Sequence, residues 1–183
     1  MTDTILPLLL ITIVLIIVYF SFKQLWMMFK TNQVVLVSSS VNHVKQPLLH
    51  AIEHFKIEPQ EMNFIEVGSG YGKILDLAAK EFEWKSLIAI EIDFLTIMIA
   101  RFSNLIKRMP ITFVHKDIFD YEIPKGSLVY CYMSTPIISR LFDEGAFENC
   151  VVLSLTFPIQ EIPCSATYDV EGFQKRLFVY DFR

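Results

Sequence analysis

The chain has 183 residues, the size of one domain plus an appendage, and 53% of them are hydrophobic. Its formal net charge of −4 argues against a domain that holds nucleic acid by phosphate contacts alone, so we expect no nucleic-acid partner. The three cysteines are odd in number and form no C-x-x-C pair, which indicates neither a disulfide framework nor a structural zinc site.

The N-terminal segment accounts for the high hydrophobicity. Ile5 to Phe22 contains no charged residue, and at about 1.5 Å of rise per residue a helix of this length just covers a bilayer core. A cleaved signal peptide needs a basic start and a small-residue cleavage site, but the start is Thr2-Asp3-Thr4 and no A-x-A pattern follows the run. We therefore expect a retained transmembrane helix.

Basic residues lie on one side of this run only. Lys23 and Lys30 follow it, nothing basic precedes it, and Trp26 is typical of an interfacial anchor. We expect a single-pass membrane protein whose remaining part faces the cytoplasm or the matrix-like side of an organelle. The chain then divides into three parts: an anchor with its juxtamembrane segment at 1–30, a linker at 31–43 and a globular domain at 44–183.

The rest of the chain alternates between helix and strand patterns. Apolar residues at helical spacing predict helices at 44–55, 73–82, 94–109 and 137–147. Short apolar runs predict strands at 63–67, 86–90, 111–114, 128–133 and 151–157, and a closing pair at 167–173 and 176–182 around Gly172. This order predicts an α/β, Rossmann-like fold: a mostly parallel seven-stranded sheet with an antiparallel hairpin at its edge.

Three glycines follow the first strand, in the segment Gly68-Ser69-Gly70-Tyr71-Gly72. In an open α/β sheet the ligand sits beyond the carboxyl ends of the strands, and glycines let the backbone approach it with positive φ. The next helix adds N–H groups and the positive end of its dipole. Glu91 closes the second strand, 23 residues after Gly68, where a carboxylate can accept both hydroxyls of a ribose.

The spacing of the glycines limits the identity of the ligand. The dinucleotide pattern G-x-G-x-x-G needs a glycine at position 73, which is Lys73, and the ATP-type phosphate loop is absent. Glu66, two residues before the first glycine, favours a ligand with a positively charged end. S-adenosylmethionine has an ammonium, a sulfonium and a ribose but no phosphate, and it fits this combination.

These segments resemble a known family. Residues 64–74 (FIEVGSGYGKI) are similar to the first motif of class I S-adenosylmethionine-dependent methyltransferases, and residues 88–92 (IAIEI) are similar to the second. The single span, short linker and minimal core resemble the small membrane-anchored lysine methyltransferases, the family of the ATP synthase c-subunit lysine methyltransferase and its bacterial relatives. The segments 155–158 (LTFP) and 176–180 (RLFVY) are similar to the end of that family.

The resemblance implies a methyltransferase that uses S-adenosyl-L-methionine as cofactor and methylates a lysine amino group of a membrane-associated protein. It implies that Tyr132 and Met133 face the transfer site. The cofactor-binding residues that it implies are Glu66, Gly68, Ser69, Gly70, Tyr71 and Gly72 for the methionine and ribose part, Glu91 with its neighbour Ile92 at the ribose hydroxyls, and Asp117 and Ile118 beside the adenine.

Two tyrosines near the end of the fourth strand are the catalytic candidates. Tyr130 and Tyr132 alternate with their neighbours along the strand, so they point to the same side. An acceptor lysine must lose its proton, which burial near apolar and aromatic groups favours. A place beside the methyl group and a place in the core are both open for these tyrosines, and the sequence assigns no general base.

Motifs of nucleic-acid methylation are not matched. The position after the fourth strand reads Met133-Ser134-Thr135-Pro136 instead of Asp/Asn-Pro-Pro-aromatic, and Pro163-Cys164 comes after the fifth strand, too late for a cytosine-directed nucleophile. A small basic cluster is interpreted as a solvated helix face; its members are Arg101, Lys107 and Arg108.

Two other interpretations are open. His50, Glu53 and His54 fit H-x-x-E-H, the inverted zinc-peptidase signature, with two histidines four residues apart on one helix face. A zinc-dependent hydrolase would need a third ligand, whereas the methyltransferase interpretation expects no metal. A methyltransferase fold can also serve as a membrane-tethered, non-catalytic interaction module.

Overall fold

The structure is a computed structural model that describes residues 2–31, 41–171 and 175–183, with side chains described for 5–22, 41–171 and 175–183. The chain forms two compact units, Met1–Val37 and Ser38–Arg183. The serines at 38–40, the predicted interfacial Trp26 side chain and the hairpin residue Gly172 lie outside the described parts.

The described residues of the first unit form one helix, α1 (Thr2–Thr31). Its segment Ile5–Phe22 has a mean hydropathy of 2.8 and no buried residue, so by length and composition it is apolar enough to cross a membrane. The one polar side chain in the middle of this segment is satisfied locally, because the Thr12 hydroxyl donates to the Leu8 carbonyl at 2.8 Å. Pro7 lies inside the helix, in its second turn, and removes one intrahelical hydrogen bond near the N-terminal end.

The second unit alternates between helices and strands. Its helices are α2 (Val41–His54), α3 (Lys73–Glu81), α4 (Phe94–Lys107) and α5 (Thr135–Asp143), with a short 3-10 helix at Ile118–Asp120. Its strands are β1 (Asn63–Val67), β2 (Ser86–Glu91), β3 (Ile111–His115), β4 (Ser127–Cys131), β5 (Val151–Leu155), β6 (Ala166–Val170) and β7 (Lys175–Asp181).

The strands form one seven-stranded sheet in the order β3-β2-β1-β4-β5-β7-β6. The first five strands are parallel, while β7 pairs antiparallel with both β5 and β6. The expected mostly parallel sheet with an antiparallel edge is therefore confirmed. Strand order reverses between β1 and β4, which is the switch point where α/β folds bind ligands.

Alternation along the strands divides the core into two layers. In β1, Phe64 packs into the layer under α2 and α3, and Ile65 packs into the layer under α5. In β4, Tyr130 belongs to the first layer and Cys131 to the second. All four side chains are at most 1% exposed, so the strand ends are held rigidly between two packed helix layers.

Several element boundaries differ from the sequence expectation for local reasons. Helix α4 ends at Lys107 because Arg108 takes a left-handed conformation, with φ 55°, and its N–H caps the Asn104 carbonyl. Helix α5 runs over Thr135–Asp143 instead of 137–147, because a proline sits in its first turn and Gly145 follows its end with φ 77°. Helix α2 begins at Val41, so the last three residues assigned to the linker form its first turn.

Candidate functional site

The glycine turn after β1 lies at the carboxyl edge of the sheet, beside the switch point. Gly68, Gly70 and Gly72 have φ values of 66°, 54° and 70°. The Ser69 N–H donates to the Ile90 carbonyl at 3.0 Å, which ties the turn to the end of β2. The Gly72 N–H donates to the Ser69 carbonyl at 2.8 Å and closes the turn into α3.

Two of these glycines differ in what surrounds them. A Cβ on Gly72 would lie 3.4 Å from the Phe113 ring, in a backbone conformation that L side chains rarely adopt. A Cβ on Gly70 would meet no atom within 4 Å. At Gly72 the left-handed conformation favours glycine and a Cβ would contact Phe113, whereas Gly70 faces open space that a ligand can enter.

Glu91 holds the turn in place from the end of β2. One carboxylate oxygen accepts the Gly70 N–H at 2.8 Å, and the other accepts the Asp93 N–H at 2.9 Å. The side chain is only 8% exposed. Each carboxylate oxygen keeps a further lone pair, so Glu91 can accept two hydroxyls of a ligand while it fixes the glycine turn.

Glu66 is the second carboxylate of the site. It is 6% exposed and accepts the Leu75 N–H, in the first turn of α3, at 3.3 Å. Burial raises the pKa of this carboxyl well above its usual 4.5, and the negative charges of Asp76 and Glu91 raise it further. A positively charged group beside Glu66 would lower this pKa and restore the anionic carboxylate. The buried carboxyl therefore favours a positively charged partner.

The ends of β2 and β3 are joined on the far side of the turn. The Lys116 N–H donates to the Glu91 carbonyl at 3.1 Å, and the His115 ring lies 3.1 Å from the Ile92 carbonyl oxygen. Asp117 caps the following 3-10 helix by accepting the Phe119 N–H at 3.2 Å, and the next residue, Ile118, is buried. These residues lie next to Glu91 at the carboxyl edge of the sheet.

The other two residues of the turn have opposite environments. Ser69 is buried, and its hydroxyl oxygen has no hydrogen-bond partner among the described residues. A buried hydroxyl without a partner is costly, so a ligand that bonds to it would be stabilised. Tyr71 is 46% exposed and lies on the surface of the turn.

The two candidate tyrosines are separated by the structure. Tyr130 is 1% exposed and packs in the core layer under α2 and α3, so it has the place in the core that the sequence left open. Tyr132 is the first residue after β4, and its ring stacks on Phe157 with centroids 5.8 Å apart. The Lys175 ammonium lies over the same ring, 5.6 Å from its centroid. Tyr132 therefore belongs to an aromatic wall beyond the carboxyl ends of β4 and β5.

Phe157 and Lys175 are parts of this wall that the sequence did not single out as site residues. Lys175 starts β7, whose antiparallel pairing with β5 places that start beside the end of β5. Thr156, the residue before Phe157, has φ 72° and donates its N–H to the Arg176 carbonyl at 2.7 Å. Only the β5–β7 pairing brings these residues together, and a single-sequence pattern carries no signal for it.

The histidines of the zinc-hydrolase alternative are exposed and lie beside an aromatic ring. His50 and His54 lie on α2, with ring centroids 6.4 Å and 6.3 Å from the Tyr168 ring. Among the described residues, no group of three or more His, Cys, Asp or Glu could hold a metal ion. The third ligand that this alternative requires is therefore missing from the described part of the chain.

The cysteines offer no nucleophile at the site. Cys131 and Cys150 are buried, and Cys164 is exposed. Burial raises the pKa of the Cys131 thiol to about 12, so the thiol at the end of β4 is neutral at physiological pH.

Comparisons with known proteins agree at the level of the fold. No protein-family model and no curated protein sequence matches this chain. An RNA methyltransferase from Salinibacter ruber in complex with S-adenosyl-L-homocysteine is similar, with 20% identity, a TM-score of 0.66, and coverage of 80% of this chain and 94% of that one. A ribosomal protein L11 methylase from Lactobacillus delbrueckii subsp. bulgaricus has 16% identity, a TM-score of 0.60, and coverage of 81% and 82%.

A third similar structure is TrmK from M. capricolum in complex with S-adenosyl-homocysteine, with 8% identity and a TM-score of 0.55. The match covers 66% of this chain and 62% of that one. At these identities the likeness establishes architecture, and the strand order with its antiparallel β7 agrees with it. The second unit of this chain has the Rossmann-like fold of S-adenosylmethionine-dependent methyltransferases.

Proposed function

We propose that this protein is an S-adenosylmethionine-dependent methyltransferase. The observation that carries the proposal is the pair of buried carboxylates, Glu66 and Glu91, on the two sides of the glycine turn at the switch point. The cofactor, when bound, supplies an electrophilic methyl group on a sulfonium. It has a ribose diol and an ammonium, the two groups that two carboxylates in this arrangement can bind.

The chain's own residues fit the cofactor in four places. Glu91 accepts the ribose hydroxyls with the lone pairs that its bonds to the turn leave available. Glu66 pairs with the ammonium, directly or through water, and is ionised by it. The buried Ser69 hydroxyl gains a partner, and Asp117 and Ile118 flank the adenine.

The acceptor that we propose is a lysine amino group of a membrane-associated protein. The Tyr132 ring already lies under the ammonium of Lys175, which supports a role in binding a cationic or amine-bearing side chain. The positive charge of Lys175 over the same ring disfavours a second ammonium there and so favours the neutral amine that attacks the methyl group. Positioning of that amine is the main catalytic contribution of the wall.

The membrane part of the proposal depends on α1. A helix with an 18-residue apolar segment can span a bilayer, and it would tether the second unit within reach of membrane proteins. Tethering raises the effective concentration of such partners without any new contact. We propose that the second unit faces the cytoplasm or the matrix-like side, as the lysines after the span indicate.

RNA is the second candidate acceptor. One similar structure, an RNA methyltransferase, favours it, whereas another is a methylase of ribosomal protein L11 and favours a protein acceptor. The formal net charge of −4 favours a protein over RNA, because phosphate binding needs an excess of basic residues.

Calorimetry with S-adenosylhomocysteine on the full chain in detergent tests cofactor binding. We expect binding by the native chain and none by Gly70→Arg, which fills the open space beside the turn. Absence of binding by the native, folded chain would contradict the enzyme proposal.

Isolated membranes incubated with the protein and methyl-tritiated cofactor test the acceptor. Label that is removed by protease and retained after nuclease supports the protein acceptor, and the reverse result identifies RNA. Cofactor binding without any labelled species would favour the non-catalytic interaction module.

A further inference from the structure

Helix α4 has a broad apolar face that the second unit leaves uncovered. Six large apolar side chains on it are between 43% and 74% exposed: Phe94, Met98, Ile99, Phe102, Leu105 and Ile106. At about 100° per residue, these positions fall within a single arc of about 140°. Thr96, Ile97 and Ala100 lie on the opposite side and are buried.

This face lies beside the candidate site. Helix α4 starts three residues after Glu91 and packs on β2 and β3, and β3 is the edge strand of the sheet. The Phe94 ring contacts the His115 ring edge-on, with centroids 5.5 Å apart. A surface that covered the apolar face would therefore lie along the β3 edge, close to the carboxyl end where the glycine turn is.

The charged residues of the helix and its C-cap have one sign. Residues 94–108 include three basic side chains and no acidic one, in a chain whose formal net charge is −4. Arg101 is exposed, donates to the Phe113 carbonyl at 2.7 Å, and lies about 20° in helical projection beyond the Phe94 margin of the face. Lys107 is ion-paired with Asp76, and Arg108 is exposed at the helix end.

We propose that this face of α4 lies on the surface of a bilayer, with its apolar side chains at the boundary between headgroups and acyl chains and its arginines at anionic headgroups. A helix with an apolar face, a basic margin and no acidic residue has the composition of interfacial helices. So large a contiguous apolar surface is unusual on a monomeric domain in water and marks a contact site. The inference rests on the membrane location in the proposed function, and it is independent of methyl transfer.

The length of the connecting chain favours a bilayer, over a distant protein, as the surface that covers the apolar face of α4. Nine residues, 32–40, separate the end of α1 from the start of α2. Nine extended residues reach at most about 32 Å, so a spanning α1 would keep the second unit near the bilayer. Docking of α4 then fixes an orientation: the β3 edge faces the lipid, and the site acts on segments close to the membrane surface.

Fluorescence quenching by brominated lipids in nanodiscs tests the contact on the full chain. The background variant is Cys164→Ser, because Cys164 is exposed whereas Cys131 and Cys150 are buried. An environment-sensitive dye is then placed by Phe102→Cys on the α4 face, by Val14→Cys in the middle of α1, or by Glu148→Cys at an exposed position whose side chain ion-pairs with Lys125. The nanodiscs contain zwitterionic and anionic lipids in a 3:1 ratio or zwitterionic lipid alone.

With anionic lipid present, we expect the dye at position 102 to be quenched at least about twofold more than the dye at position 148. Removal of anionic lipid, or Arg101→Gln with Arg108→Gln, should reduce this quenching, because the basic residues then lose their partners. Leu105→Asp with Ile106→Asp should abolish it, while circular dichroism shows unchanged helix content.

Equal quenching at positions 102 and 148 would overturn the inference. Disulfide cross-links between two copies through Phe102→Cys, without quenching, would overturn it in favour of self-association. The dye at position 14 reports whether α1 lies in the bilayer. It therefore distinguishes a failure of α4 docking from a failure of the anchor. Quenching at 102 but not at 14 keeps the docking and rejects the span, and the reverse rejects the docking alone.

Discussion

The Glu91 carboxylate accepts the backbone N–H of Gly70 at 2.8 Å, which joins the end of β2 to the glycine turn that follows β1. Through this bond one buried side chain both shapes the turn and presents oxygen lone pairs to the space in front of it. The turn and the carboxylate that we propose for ribose binding are therefore one structural unit, and a substitution in either should change the geometry of both.

Replacement of this carboxylate tests that unit. Glu91→Gln removes the charge and turns one acceptor into a donor, so it disturbs the bonds to Gly70 and Asp93 and weakens acceptance of the ribose hydroxyls. We expect S-adenosylhomocysteine affinity to fall about tenfold to a hundredfold, since a hydrogen bond to a charged group contributes about 1.5–3 kcal/mol. Calorimetry measures the change. The control is Glu148→Gln, whose carboxylate is exposed and paired with Lys125; an equal loss there would contradict the assignment.

A pair of glycine substitutions separates conformational strain from site blockage. Gly70→Ala and Gly126→Ala both place a Cβ at positive φ, 54° and 71°, with open space around it. Each should lower the free energy of unfolding by roughly 1–2 kcal/mol, the cost of a left-handed conformation for a residue with a side chain. Only Gly70→Ala should weaken S-adenosylhomocysteine binding, because its methyl group enters the open space beside the turn. Thermal unfolding and calorimetry report the two effects, and equal binding losses would contradict the placement of the ligand.

The sequence was sufficient to predict this part of the site because its geometry is local. β1 has the predicted bounds of 63–67, and the glycines and Glu91 lie at strand ends, which parallel strands bring to one edge. A short apolar run and a glycine turn determine such positions without knowledge of the other strands.

The sequence was insufficient where the geometry depends on strand pairing and burial. The contact between Tyr132 and Lys175 requires β7 to lie between β5 and β6, and no local pattern specifies that order. Tyr130 and Tyr132 share a side in projection, yet one lies inside β4 and the other beyond its end. Helix α4 has large apolar side chains on its exposed side as well as Ile97 and Ala100 on its buried side, so periodicity alone does not show which side the sheet covers.

Glu66 should make stability and cofactor binding respond to pH in opposite ways. Burial raises the pKa of its carboxyl in the folded chain above the usual 4.5, so the protonated form stabilises the fold. This contribution is complete below about pH 4.5 and is lost as the pH rises through the raised pKa. S-adenosylhomocysteine carries an ammonium that favours the ionised form, so its affinity should rise with pH over the same range.

The variant Glu66→Gln tests both effects. Near pH 8 the unliganded variant should unfold at a higher temperature than the native chain, while near pH 5 the two should be similar. Its S-adenosylhomocysteine affinity should be lower and should lose the pH dependence that Glu66 contributes. Glu58→Gln, at an exposed position, is the control for a change of charge alone. A native chain and a Glu66→Gln variant with parallel pH profiles would show that Glu66 does not titrate in this way.

The aromatic wall should act on the acceptor and leave the cofactor unaffected. Tyr132 stacks on Phe157 and lies under the Lys175 ammonium, so its ring, more than its hydroxyl, is the group that binds an amine. We expect Tyr132→Ala to reduce methyl-tritium incorporation into membranes about tenfold, because loss of the ring leaves the amine poorly positioned for attack. Tyr132→Phe keeps the ring and should retain most of the activity. S-adenosylhomocysteine affinity, measured by calorimetry, should stay near that of the native chain in both variants. A large loss in Tyr132→Phe would instead assign the function to the hydroxyl, and a loss of cofactor affinity in Tyr132→Ala would place the ring on the cofactor side.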